Sequence, residues 1–114
     1  MANSFLSETD TGVGTSPASI FTCPADTETT IIGLSVSNIV TSQILIDVIL
    51  DASARTSGAE DSVYLIKAAP IPVGSSLVVV GGDQKVVMEP GDILKVVSDT
   101  ATSADVVMSH LDIT

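Results

Sequence analysis

Apolar residues along this chain come in short bursts rich in Val and Ile, and within most bursts they alternate with polar ones. Residues 44–50 show this most clearly. Ile44, Ile46, Val48 and Leu50 share one side of an extended chain, and Asp47 points away. In the burst at residues 29–36, Ile32, Leu34 and Val36 are expected on one face, with Gly33, Ser35 and Ser37 on the other. Residues 105–113 place His110 with Val106 and Met108, opposite Val107, Leu111 and Ile113. Further strands are predicted at residues 20–23, 63–68, 76–80, 85–88 and 93–98. The separators are turn-formers: Pro24, a polar loop at 51–62 around Gly58, Pro70 and Pro72, Gly81-Gly82-Asp83, and Pro90-Gly91-Asp92.

Eight short strands at intervals of about 8–12 residues suggest a sandwich or barrel. No stripe of 3.6-residue period lasts beyond two turns, so the helices a parallel sheet needs are not expected. The expected fold is all-β: a single antiparallel β-sandwich, jelly-roll-like, with one buried face per sheet. Residues 1–19 lack apolar periodicity. They are expected to form an extended N-terminal arm, with Phe5 and Leu6 as its apolar anchors, ahead of a sandwich domain at 20–114.

Length and charge narrow the function classes. The 114 residues suffice for one domain, and 45% hydrophobic content argues against disorder. Fourteen acidic against four basic side chains give a net charge of −10. Phosphate contacts need Lys and Arg, and Arg55, Lys67, Lys85 and Lys95 are scattered, so nucleic acid is not an expected partner. An anionic membrane surface is disfavoured for the same reason. No apolar run approaches the ~18 residues of a membrane span, and residues 1–10 carry no secretory pattern. The lone Cys23 fits assembly in a reducing cytoplasm.

Candidate chemistry is sparse. Cys23 and His110 could act together only if the fold joins them, and a buried core Cys is the plainer expectation. A single His makes no zinc site by itself. The carboxylate pairs Glu60-Asp61, Asp83 with Glu89, and Asp92 with Asp99 lack calcium-loop spacing. Gly81-Gly82-Asp83-Gln84-Lys85 lacks the spacing of a phosphate loop and reads as a hairpin. Aromatics are only 3% (Phe5, Phe21 and Tyr64), which weakens a carbohydrate- or receptor-binding reading. No cofactor, metal or catalytic residue is assigned, and the chain is not expected to be an enzyme.

Three segments carry a resemblance. Phe21-Thr22-Cys23-Pro24-Ala25, leading into Ile31-Ile32-Gly33-Leu34-Ser35-Val36-Ser37-Asn38, resembles small virion structural proteins of tailed bacteriophages, of the marine cyanophage type. The crossing Lys67-Ala68-Ala69-Pro70-Ile71-Pro72-Val73-Gly74 and the hairpin with its turn at residues 81–92 are similar to theirs as well. The similarity covers residues 21–114. It implies a non-enzymatic β-sandwich component of the virion, assembled in the host cytoplasm. The first expectation is a head decoration (cement) protein on the major capsid protein or other virion proteins. It would be a homo-oligomer such as a trimer, with Phe5 and Leu6 at the interface. A tail, neck or baseplate and fibre-attachment component is the alternative.

Overall fold

The structure is a computed structural model that describes residues 2–55 and 61–114. It contains nine strands among the described residues: β1 (Asn3–Val13), β2 (Ala18–Thr22), β3 (Glu28–Asn38), β4 (Ile44–Asp51), β5 (Val63–Ile71), β6 (Ser76–Val80), β7 (Val86–Met88), β8 (Ile93–Ser98) and β9 (Ala104–Ile113). Every pairing is antiparallel. One sheet has the order β1-β9-β3-β6, with β7 also on β3, and the other has the order β2-β8-β4-β5.

The pairs β1–β9, β2–β8, β3 with β6 and β7, and β4–β5 are nested, like the rungs of one long hairpin. Rolled up, that hairpin closes further through β9–β3 and β8–β4. This is the jelly-roll arrangement, and it sets two antiparallel sheets face to face.

The period-2 pattern explains the core. Ile44, Ile46 and Val48 of β4 and Leu94 and Val96 of β8 are fully buried. They face Ile31, Leu34 and Val36 of β3, Met108 of β9 and Met88 of β7 across the sandwich. Each such aliphatic side chain contributes about 1.5–3 kcal/mol on burial. Leu50 and Val106 complete the rows, as the alternation requires.

Three expectations change. Residues 3–13 are no free arm: β1 pairs with β9 from Asn3↔Ile113 to Val13↔Ala104. Their polar alternation carries no apolar face, yet the open edge of β9 supplies the hydrogen-bond partners. In β3 a bulge between Ile31 and Gly33 shifts the phase, so Ile31 is buried and Ile32 only half-buried. Pro70 does not end β5, which runs on to Ile71. As an edge strand β5 has a side without partners, where a missing N–H costs nothing. The Gly58 expectation lies outside the described residues.

Candidate functional site

The chemically capable side chains form one buried chain inside the sandwich. Cys23, just past β2, is 1% exposed. Its Sγ lies 3.3 Å from the Thr27 carbonyl, 3.4 Å from Thr29 Oγ1 and 3.6 Å from the Met88 carbonyl. Thr29 on β3 donates to Asp112 Oδ1 at 2.9 Å, and the same carboxylate oxygen lies 2.7 Å from His110 Nδ1. His110 Nε2 lies 3.0 Å from Glu8 Oε2 on β1. The ring of Phe21 covers the imidazole, with centroids 4.2 Å apart. Both ring nitrogens therefore face carboxylates.

Cys23 and His110 thus share one network, joined indirectly through Thr29 and Asp112. Burial pushes the Cys23 thiol above its ordinary pKa, and the charges of Asp112 and Asp92 add to that. A buried thiol held protonated is the reverse of an activated nucleophile. The network ties β1, β3, β9 and the β2 end together. The sequence pattern grouped His110 with Val106 and Met108, and the structure turns that face inward. It did not reveal Glu8, which only the β1–β9 register brings opposite Met108, beside His110.

A second buried charge sits at the Pro90-Gly91 turn. Asp92, fully buried, accepts the single Arg55 Nε–H, shared between Oδ1 at 2.9 Å and Oδ2 at 3.1 Å, and a hydrogen bond from Nη2 at 2.6 Å. It also accepts the Glu89 N–H at 3.0 Å, and Glu89 in turn reaches Arg55 Nη1 at 3.3 Å. This cluster staples the 51–55 segment to the turn. It also separates the carboxylates considered together in sequence, since Asp99 turns elsewhere, to the Leu45 N–H at 3.0 Å. Glu60 lies outside the described residues. Among the described residues no group of three or more His, Cys, Asp or Glu is placed to hold a metal ion. Among the described residues no helix is long and apolar enough to cross a membrane.

The two outer faces of the sandwich differ. The four-stranded sheet is laced with ions: Asp47 meets Lys67 at 3.2 Å, and Asp51 meets Lys95 at 2.8 Å. Tyr64 lies on this face with Lys67 Nζ 4.6 Å from its ring centroid. The five-stranded sheet presents hydroxyl and apolar groups instead. Phe5, Leu111, Thr30 and Val87 align in one row across it, and Thr9, Val107, Ser35 and Val78 in another. Phe5 is 77% exposed and Val78 65%. A hollow of about 380 Å³ lies over Thr9, Ser35, Ser37 and Val107, and one of about 290 Å³ over Phe5, Ser7, Ile32 and Ser109.

Phe5 and Leu6, expected to act as one pair, point to opposite sides of β1, because neighbours in a strand alternate. The three aromatic residues are also dispersed. Phe21 covers His110 inside, while Phe5 and Tyr64 occupy opposite outer faces.

The architecture defines the chain as a two-sheet jelly-roll sandwich. No family model matches it, and no curated protein matches it. Among solved structures it is similar to a chain from a study of Bacillus endospore appendages, described there as a novel family of disulfide-linked pili. The TM-score is 0.52 with 13% identity, over 99% of this chain and 87% of that one. At that identity the likeness is one of fold.

Proposed function

We propose that this chain is a non-enzymatic structural subunit of a tailed-phage virion, a decoration (cement) protein that binds the outer capsid surface as an oligomer. The observation that carries the reading is the contrast of inside and outside. Cys23, His110, Asp112 and Asp92 are buried and hydrogen-bonded, while the five-stranded sheet offers an apolar, hydroxyl-rich face to a partner. A scaffold of this kind acts by added contact area, and a standard interface of about 1,600 Å² repeated over a shell resists internal pressure without any reaction. The residue similarity at 21–25, 31–38, 67–74 and 81–92 points to the virion, and the net charge of −10 suits a surface away from packaged DNA.

Within this reading Leu6 and the free edge of β1 carry the contact with the shell. Leu6 is 47% exposed, and β1 is hydrogen-bonded on one side only. The test is the number of copies per purified particle, together with occupancy of a Leu6→Glu variant. Hundreds of copies, lost from the particle on that substitution, support the head assignment. A dozen or fewer assign the chain to the tail, neck or baseplate.

The pilus-like fold favours a second reading, a subunit of a filament. Cross-linking through Cys23 is not open to such a filament without unfolding, since the thiol is 1% exposed. Filaments growing from the purified chain would support this reading over the first.

A further inference from the structure

We infer that two copies of this chain associate face to face through the outer surface of the five-stranded sheet, as a two-fold dimer. The inference rests on reading the chain as an assembling structural subunit, and it names the surface where copies meet.

Charge selects the occupant. Each copy carries −10, so two copies repel wherever their charged surfaces approach. On this face the rows running from Phe5 to Val87 and from Thr9 to Val78 hold no charged residue, and the row between them offers Ser7, Ser109 and Gly33. Its carboxylates Glu28 and Asp105 stand at opposite ends of the sheet, and Asp10 joins Asp105 at the edge of the larger hollow. Asp105 is occupied there by Thr11 Oγ1 at 2.6 Å. A cationic partner would be drawn to the acidic remainder of the molecule, whereas an uncharged face admits a second acidic copy.

Relief and area agree. Phe5 and Val87 project at the ends of one row and Val78 at the end of the other, with hollows over Ser7 and Ser109 and over Thr9 and Ser35. A copy turned by a two-fold axis can therefore seat a projecting side chain in a hollow, as facing sheets interdigitate in sandwiches. Four strand positions at ~4.8 Å and ten residues at ~3.4 Å make a flat projection of roughly 650 Å². Side-chain relief raises the accessible area toward the about 800 Å² per partner of a standard interface. The geometry is isologous and closes at two copies, in place of the trimer expected from the resemblance.

The experiment is sedimentation of the full chain over a concentration series, at about 0.1 M and about 1 M salt. A monomer–dimer equilibrium is expected that tightens with salt, because screening removes like-charge repulsion and the contact contains no ion pair. Val107→Glu and Val78→Glu, both at exposed outward positions, are expected to weaken it at least tenfold while leaving the melting transition in place. Tyr64→Glu, on the opposite outer face, is expected to leave it unchanged. A chain monomeric throughout overturns the inference. So does a trimer, a dimer that loosens with salt, or a dimer broken by Tyr64→Glu and indifferent to Val107→Glu. Copy number per particle is independent: a dimer broken by Val107→Glu, with a dozen copies per virion, ends the head reading and leaves the dimer standing.

Discussion

At the scale of single residues, the buried carboxylate Asp92 is the most demanding group in the chain. It is fully buried, and Arg55, whose side chain is 13% exposed, neutralises it. Removing one partner of such a pair strands the other charge. Arg55→Ala is therefore expected to cost about 3 kcal/mol of stability by chemical denaturation. Asp51 behaves differently, being closer to solvent. The Lys95 ammonium, then hydrogen bonds from Ser53 and Ser62, hold its carboxyl well below the usual carboxylate range. A depressed folded pKa stabilises the protein above the unfolded value of about 3.9 and loses that contribution as pH falls below it. The denaturation midpoint is thus expected to drop between pH 7 and about pH 3, and the drop should be smaller in Asp51→Asn. Asp99, lowered by the Leu45 N–H, adds to the same acid limb. Neither partnership was legible in sequence, because Arg55–Asp92 and Asp51–Lys95 span loops whose closure only the fold decides.

At the scale of elements, β1 is the informative strand. Glu8 on β1 holds His110, which is fully buried on β9, and β1 covers one whole edge of that strand. Deleting residues 2–12 is therefore expected to abolish the cooperative melt seen by circular dichroism, whereas a free arm would leave it unchanged. The Pro90-Gly91 turn is a second sensitive point. Gly91 has φ of 91°, and a Cβ there would lie 3.2 Å from the Ala54 Cβ. Gly91→Ala is expected to destabilise by about 1–3 kcal/mol, from backbone strain and crowding together. The turn itself was readable from Pro90-Gly91-Asp92, and the eight strands were readable from their alternation. The bulge at Ile31–Gly33 was not, since a one-residue phase shift leaves each half of β3 with an acceptable pattern.

For the whole molecule, nested pairing from β4–β5 outward to β1–β9 makes one cooperative unit with its core shared by both sheets. Cys23 lies in that core, so a thiol reagent reaches it only when the sandwich opens. Labelling of the native chain is expected to be slower than in denaturant by about three orders of magnitude or more, with one thiol counted after unfolding. Comparable rates in both would show a local opening near β2. Assembly belongs to this scale too: the proposed dimer would bury Phe5 and leave Leu6, on the other side of β1, exposed.

Local alternation determined most strand positions, the apolar face of β4, and an antiparallel sandwich as the means of burying it. A period of two is a local property, and any residue–solvent boundary along an extended chain writes it. Only the tertiary structure decided that residues 3–13 complete a sheet, that His110 sits between Asp112 and Glu8, and that one outer face lies free of ion pairs. Those features depend on which strands become neighbours across more than a hundred residues, as with Asn3 and Ile113. That choice is made when sheet edges close on each other, and no single strand carries it.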